Sequence, residues 1–202
     1  MQITLLHYTP LHICSNAIRT CWQSFSKSDN GGYKDKELID RVGNINKHKS
    51  TLEHLVYSFY IKGISRACLQ ELARHRIASY SVKSSRYTLN ELKKVKIQTL
   101  QDASVFIKLT GIDKIDNANL IALQNLQALV KDSDIPIDYA KYAMPECYLT
   151  ELSWTINARS LQNFLELRTS KHALWEIQEL AKAIFEALPQ EHKYIFEGCV
   201  EG

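Results

Sequence analysis

Leu55-Val-Tyr-Ser-Phe-Tyr-Ile61 is the stretch on which the fold turns. Leu55, Tyr57, Phe59 and Ile61 point to one side, and Val56, Ser58 and Tyr60 to the other, the period-two pattern of a strand. Both sides are largely apolar, so a strand covered on both faces is expected, with Gly63 breaking it. Upstream, residues 2–8 read as a first strand ended by Pro10. Downstream, Glu151 to Ile156 reads as another. Helical spacing marks Ser15 to Phe25, Lys34 to Lys47 (Leu38, Ile39, Val42) and Ser65 to Arg76. A longer stripe follows in Ile112, Ile115, Ala118, Ala122, Leu126 and Leu129, widened by Leu123 and Val130. Asn157 to Arg168 and His172 to Leu188 complete the helices, the last with Ile177, Ala181, Ile184 and Leu188 on one face. The run SKSDNGG at 26–32 favours turns, and the Ser-rich 79–87 cannot be a strong helix. Neither GxGxxG nor GxxxxGK[ST] is present, which argues against Rossmann and P-loop folds. The expected class is α/β or α+β, with few strands and much helix.

At 202 residues, 45% hydrophobic and 23% charged, the composition is that of an ordinary globular chain, one domain or two closely fused. No run of 18 apolar residues exists, so a transmembrane helix is excluded. The start MQITLLHYTPLHICSNAIR lacks a basic region before its apolar stretch, so it does not read as a signal peptide and a cytoplasmic setting is expected. A net charge of +3 neither demands nor excludes nucleic acid. The five cysteines (14, 21, 68, 147 and 199) form no CxxC pair, which argues against a disulfide framework and a zinc site.

Three polar segments could carry chemistry. The densest is Arg74-His75-Arg76-Ile-Ala-Ser79-Tyr-Ser81-Val82-Lys83-Ser84-Ser85-Arg86-Tyr87, which extended to Lys96 holds seven basic residues against one acid, Glu91. On a helix begun at Ile64, Cys68, Glu71 and His75 fall within about 40° of it, so a glutamate and a histidine lie on the apolar side and need partners or a ligand. They could pair with each other and with Arg74 at a helix end. Hydroxyls, backbone N–H groups and a guanidinium in the turn that follows suit a phosphate or a pyrimidine carbonyl. Basic residues interleaved with Tyr80 and Tyr87 also suit single-stranded RNA, and composition does not choose between these. In the second segment, Asn157, Leu161, Phe164 and Arg168 share about 60° of helix arc. Arg168 could snorkel or complement the helix dipole there; with Arg159, Asn163 and His172 it reads as a polar site reached from the core. The third segment is His48-Lys49-Ser50-Thr51-Leu52-Glu53-His54, where a capped turn is the alternative to a ligand set and metal spacing is poor, so no metal is expected.

These segments resemble the flavin-dependent thymidylate synthases (the ThyX family). The pattern RHRxxSxNxxSxRY is met by Arg74, His75, Arg76, Ser79, Ser84, Arg86 and Tyr87, with Ser81 where Asn is usual. WTxNARSLxNFLxLR is met from Trp154 to Arg168, followed by Lys171-His172-Ala-Leu-Trp-Glu-Ile-Gln178. HKSTLEH at 48–54 resembles the family's HxTPFEH. The three lie in family order over about a third of the chain; residues 88–140 carry no comparable signal.

The resemblance implies a thymidylate synthase-complementing-protein-like fold, a small antiparallel sheet flanked by helices, as a single domain over 1–202. It implies a homotetramer with active sites at subunit junctions, binding FAD, dUMP, methylenetetrahydrofolate and NADPH and converting dUMP to dTMP, with no nucleic-acid or membrane partner. FAD would be held by Ser50, Arg74, His75, Arg76, Val82, Asn157, Arg159 and Asn163, with His48, Glu53, Cys21 and His172 near the flavin. dUMP would meet Glu71, Arg74, the turn Val82, Lys83, Ser84, Ser85 and Arg86, and Lys141 and Arg168. Arg168 would act in catalysis by favouring ionisation of uracil N3. Glu71 stands where the family usually has Gln, Lys141 where many members have Arg, and Cys21 where Ser is frequent. The alternative of another class is an RNA- or DNA-binding module on the basic 74–96 segment, which leaves Asn157, Arg159, Asn163 and Arg168 unexplained and lacks an RNP or KH pattern.

Overall fold

Period-two alternation yields four strands in the computed structural model, which describes residues 1–201. They are β1 (Gln2–Tyr8), β2 (Val56–Ser65), β3 (Ala78–Val82) and β4 (Leu149–Asn157), forming one antiparallel sheet in the order β1-β2-β4-β3. The helices are α1 (Leu11–Thr20), α2 (Tyr33–Ile39), α3 (Arg66–Leu72), α4 (Ser85–Glu91), α5 (Leu100–Ala103), α6 (Asp113–Lys131), α7 (Ile137–Ala140), α8 (Ala158–Arg168) and α9 (Trp175–Glu186). None of them is long and apolar enough to cross a membrane. The chain divides into two compact units. The first comprises Met1–Ile61, Leu72–Tyr80 and the chain from Ser153 on; the second comprises Lys62–Glu71 and Ser81–Leu152.

In the first unit the central strands are registered by Ala158 N–H donating to the Leu55 carbonyl (2.8 Å) and by the Ser58 and Thr155 hydroxyls (2.9 Å). Their inward residues are aromatic. Tyr57 stacks on Phe59, Phe59 lies 6.1 Å from Trp154, and Trp154 meets Phe164 of α8 edge-on at 5.1 Å. Every one of these rings is fully buried, so the core runs from the sheet directly into α8. The second unit has its own core. Leu123, Leu126 and Val130 of α6 pack with Leu89, Leu92, Ile107 and Tyr148, which gives the motif-free residues 88–140 a structural role.

Several sequence expectations are corrected. Gly63 does not break β2. It adopts φ +77° within the strand, and burial steps from Ile61 to Ile64 instead of alternating, the phase shift of a bulge. One face of β2 is fully buried and the other half-buried, so only one is completely covered. Helix α1 begins at Leu11, because Pro10 with φ −61° suits a helix start, and it ends at Thr20, short of Phe25. The helix expected over 65–76 stops at Leu72, so Arg74, His75 and Arg76 lie beyond its end. Part of the Ser-rich 79–87 is strand β3, and Ser85 opens α4. Helix α9 starts at Trp175 rather than His172. Along α6, Leu123, Leu126 and Val130 are buried as expected, whereas Ile112 and Ile115 are exposed and the polar Asp116 and Gln127 join the inward face.

Candidate active site

Asn157 starts α8 as its cap. Its Oδ1 accepts the Ser160 N–H at 2.9 Å, which fixes the phase of the helix that follows. From that start Leu161 and Phe164 fall into the core, and Arg168 emerges at the last turn, half-buried. Its Nε donates to His75 Nε2 at 3.0 Å. A guanidinium can only donate, so Nε2 is the acceptor and any ring proton belongs on Nδ1. His75 is buried and meets the Phe164 ring edge-on, with centroids 5.0 Å apart. The turn holding His75 is pinned by Tyr80, whose hydroxyl lies 2.7 Å from the His75 carbonyl and 2.9 Å from that of Leu72, donating between them. Burial raises the Tyr80 pKa, keeping that hydroxyl a donor.

Above this pair opens a cleft of about 910 Å³. Arg74, His75, Arg76, Arg159, Asn163, Arg168 and His172 all line it, so the first and second sequence segments converge. The lining carries five Lys or Arg side chains (Lys49, Arg74, Arg76, Arg159, Arg168) against two carboxylates, Glu166 and Glu201. That excess favours an anionic ligand. Arg159 is steadied by Glu53 at 2.7 Å. Other expected flavin-side residues stand outside the lining: His48 and Ser50 are exposed on the 49–54 turn, while Lys49 between them faces the cleft. Asn157 acts here as the cap of α8, and Cys21 is exposed just past α1. Lys49, Glu166, Ser170 and Glu201 were missed by sequence reasoning; Lys49 and Glu166 lie within the quoted motifs, at positions that those patterns leave open.

Most of the nucleotide-side expectations fall in the second unit. Val82, Ser84 and Arg86 are exposed at the turn between β3 and α4, Ser85 is half-buried, and Lys141 is exposed after α7. The Ser84 side chain makes no capping bond to α4. Arg86 Nε pairs with Asp138 Oδ1 at 2.9 Å. The Lys83 ammonium sits 3.1 Å from the Glu151 carboxylate and 3.4 Å from that of Glu91. Glu71 is half-buried on α3, and its neighbour Gln70 donates to both carboxylate oxygens of Glu146 at 2.8 Å. Among the described residues no group of three or more His, Cys, Asp or Glu is arranged to hold a metal.

A mixed fold with a four-stranded antiparallel sheet and a cationic cleft at the end of α8 defines a class of nucleotide-handling enzyme. The chain belongs to the thymidylate synthase complementing protein family, whose family model matches residues 4–192. It is 64% identical over 203 residues to a flavin-dependent thymidylate synthase of Campylobacter jejuni strain RM1221, covering 99% of this chain and 98% of the relative. It is 63% identical to the corresponding enzyme of Wolinella succinogenes, covering 97% of both. A crystal structure of thymidylate synthase X from Helicobacter pylori, solved with FAD and dUMP, superposes with a TM-score of 0.95 at 58% identity, covering all of both chains. These relatives lend no support to a nucleic-acid-binding module.

Proposed function

We propose that the first unit's cleft holds FAD and that the chain reductively methylates dUMP to dTMP, with methylenetetrahydrofolate as carbon donor and NADPH as reductant. Flavin-dependent thymidylate synthesis is the activity of the family to which the chain belongs. The observation that carries the residue assignment is Arg168, fixed by buried His75 at the floor of a cleft with excess positive charge. The cleft volume lies at the upper end of the roughly 300–1,000 Å³ usual for small-molecule sites, room enough for a dinucleotide. Five cations suit its pyrophosphate, so the residues present fit FAD. Arg74, His75, Arg76, Arg159 and Asn163 would hold it, with Ser50 and Asn157 at the margin and His48, Glu53, Cys21 and His172 nearby. When bound and reduced, FAD supplies the hydride.

By the family resemblance dUMP would meet Arg74, Arg168, Glu71, Val82 to Arg86 and Lys141, in sites formed at subunit junctions of a homotetramer. The chain 1–202 acts as one functional domain, in keeping with a single family match over most of its length. Arg168 is the residue we place in the chemistry. A fixed cation beside uracil N3–H stabilises the ring anion that remains on deprotonation, and the electron-rich ring is the better nucleophile. The bases of its segment, His75 and Glu91, are engaged by Arg168 and Lys83, so Ser84 binds the nucleotide and does not attack it. Cysteine is not required, which agrees with buried Cys14, whose pKa burial pushes up to about 12. None of the five cysteines is joined in a disulfide.

The purified protein is expected to be yellow, or to become so with added FAD, and to release tritium from the uracil C5 of labelled dUMP only when folate and NADPH are present. A colourless protein that takes up no FAD would overturn the assignment. Light scattering is expected to give about four times the 23.2 kDa chain mass. A monomer at micromolar concentration would remove the shared-site reading.

A further inference from the structure

We infer that Glu151 and Glu91 are positioning residues for the Val82–Arg86 turn, acting through Lys83 as a strut. The inference rests on the assignment of that turn to dUMP.

Lys83 is bound to one residue of β4 twice over. Its N–H donates to the Glu151 carbonyl at 2.9 Å, and its Nζ lies 3.1 Å from the Glu151 carboxylate. The same ammonium reaches Glu91 Oε1 at 3.4 Å. Glu91 is the last residue of α4, and Ser84, next to Lys83, is its cap. Lys83, one residue before the cap position of α4, thus ties the last residue of that helix to the sheet through its side chain. Lys83 lines a cavity of about 240 Å³ together with Glu91, Glu151, Thr88 and Tyr148. Val82, Ser84, Ser85 and Arg86 do not line it, so the lysine is turned to a different environment from its neighbours on the turn.

Charge settles which role Lys83 can play. The Lys83 ammonium is shared between two carboxylates and Lys62 lines the same cavity, so the charge of Lys83 is answered within the fold rather than offered to a phosphate. Burial opposes the charge on Lys83, yet the Glu151 and Glu91 carboxylates outweigh it and its pKa is raised. A cation held this firmly orders backbone; it is not available for exchange with an incoming anion. Cations for the phosphate are then Arg86 and Lys141, and the strut holds Ser84 and Arg86 where the nucleotide meets them.

The strut and ligand roles predict opposite signs for one substitution. In the flavin-loaded enzyme, Glu151→Gln is expected to raise KM for dUMP about tenfold, with kcat within twofold of the parent and flavin content unchanged. Lys83→Met should do the same, and the double variant should be no worse than Lys83→Met alone, because both changes break one contact. Glu91→Gln, at the longer and more exposed contact, should raise KM about two- to threefold. Were Lys83 a phosphate ligand, Glu151→Gln would free it and KM would fall; a fall, or a KM within twofold of the parent, overturns the inference. Amide hydrogen exchange over 82–86 gives an arm that needs no nucleotide. It should quicken in both Glu151→Gln and Lys83→Met, and unchanged exchange overturns the strut. A parent enzyme without dUMP-dependent turnover would sink the functional reading alone, since the exchange measurement still decides the strut.

Discussion

Arg168 and Arg86 carry the same charge toward the same proposed nucleotide, and the chain holds them in different ways. Arg168 ends an eleven-residue capped helix, stands over buried Leu161 and Phe164, and donates to a buried histidine. Arg86 lies in the first turn of a short helix, 69% exposed, paired with Asp138, itself 57% exposed. A guanidinium anchored from the core has few conformers to lose when substrate arrives, which suits a group that must stabilise charge at one atom. An exposed pair is worth little and opens readily, which suits exchange of Asp138 for an incoming phosphate. On the proposed assignment, the difference separates a residue suited to chemistry from one suited to capture.

Removing what lies under Arg168 should have the largest effect. Phe164→Ala empties a fully buried ring site that touches both Trp154 and His75, and about 3–5 kcal/mol of stability should be lost in denaturant unfolding. A loss below about 1 kcal/mol would show that Arg168 is not supported from the core.

Acid should act on the same unit through His192. This side chain is buried, with its Nδ1 2.8 Å from the Tyr57 hydroxyl, and burial lowers its pKa from 6.5 to about 4, Lys36 adding to the shift while Glu191 opposes it. The unfolded chain takes up the proton below about 6.5 and the native chain does not. Stability should therefore fall as the pH drops from about 6.5 towards 4. The difference in urea midpoint between pH 7 and pH 5 should shrink in His192→Gln; an unchanged difference would assign the acid sensitivity elsewhere.

Loss of the α8 cap comes next. Asn157→Ala should cost about 0.5–2 kcal/mol and loosen the phase that delivers Arg168. A variant as stable as the parent would mean that packing alone sets that phase. Smallest is the surface pair: Asp138→Asn should change stability by less than about 1 kcal/mol. It should also lower KM for dUMP slightly, because Arg86 no longer has a competing carboxylate. A raised KM would indicate that Asp138 orients Arg86 instead of occupying it.

Helix α8 was legible because cap, apolar stripe and length agree from Asn157 to Arg168. The turn at 73–77 was not. No glycine or proline separates Leu72 from Arg76, and the helix is ended by a tertiary contact, the Tyr80 hydroxyl at the carbonyls of Leu72 and His75. Helix α6 was recognised, with Leu123, Leu126 and Val130 of its inward face, but the polar part of that face was not. Two of its inward positions are polar: Asp116 accepts from the N–H groups of Thr110 and Gly111, and Gln127 donates to the carbonyls of Leu92 and Val95. Hydropathy counts such residues as outward. The second carboxylate partner of Lys83 was equally invisible, because counting charge along a segment finds Glu91 but cannot reveal what Glu151, far along the chain, brings to it. Within the candidate site, motif residues on α8 and the 74–76 turn were found together, while Glu166 and Glu201 carried no pattern to mark them.

The central claim is that Arg168 acts in the chemical step and Arg86 does not. Reoxidation of reduced flavin in a single anaerobic turnover, with saturating dUMP and folate, compares Arg168→Lys directly with Arg86→Lys. Lysine keeps the charge but lacks the planar fork. Arg168→Lys is expected to retain FAD and its reduction by NADPH while reoxidation slows about 100–1,000-fold, the scale of a lost transition-state contact. Arg86→Lys should need more dUMP yet reoxidise within threefold of the parent. An Arg168→Lys enzyme reoxidising within threefold of the parent rate would contradict the account and leave Arg168 a binding or structural residue.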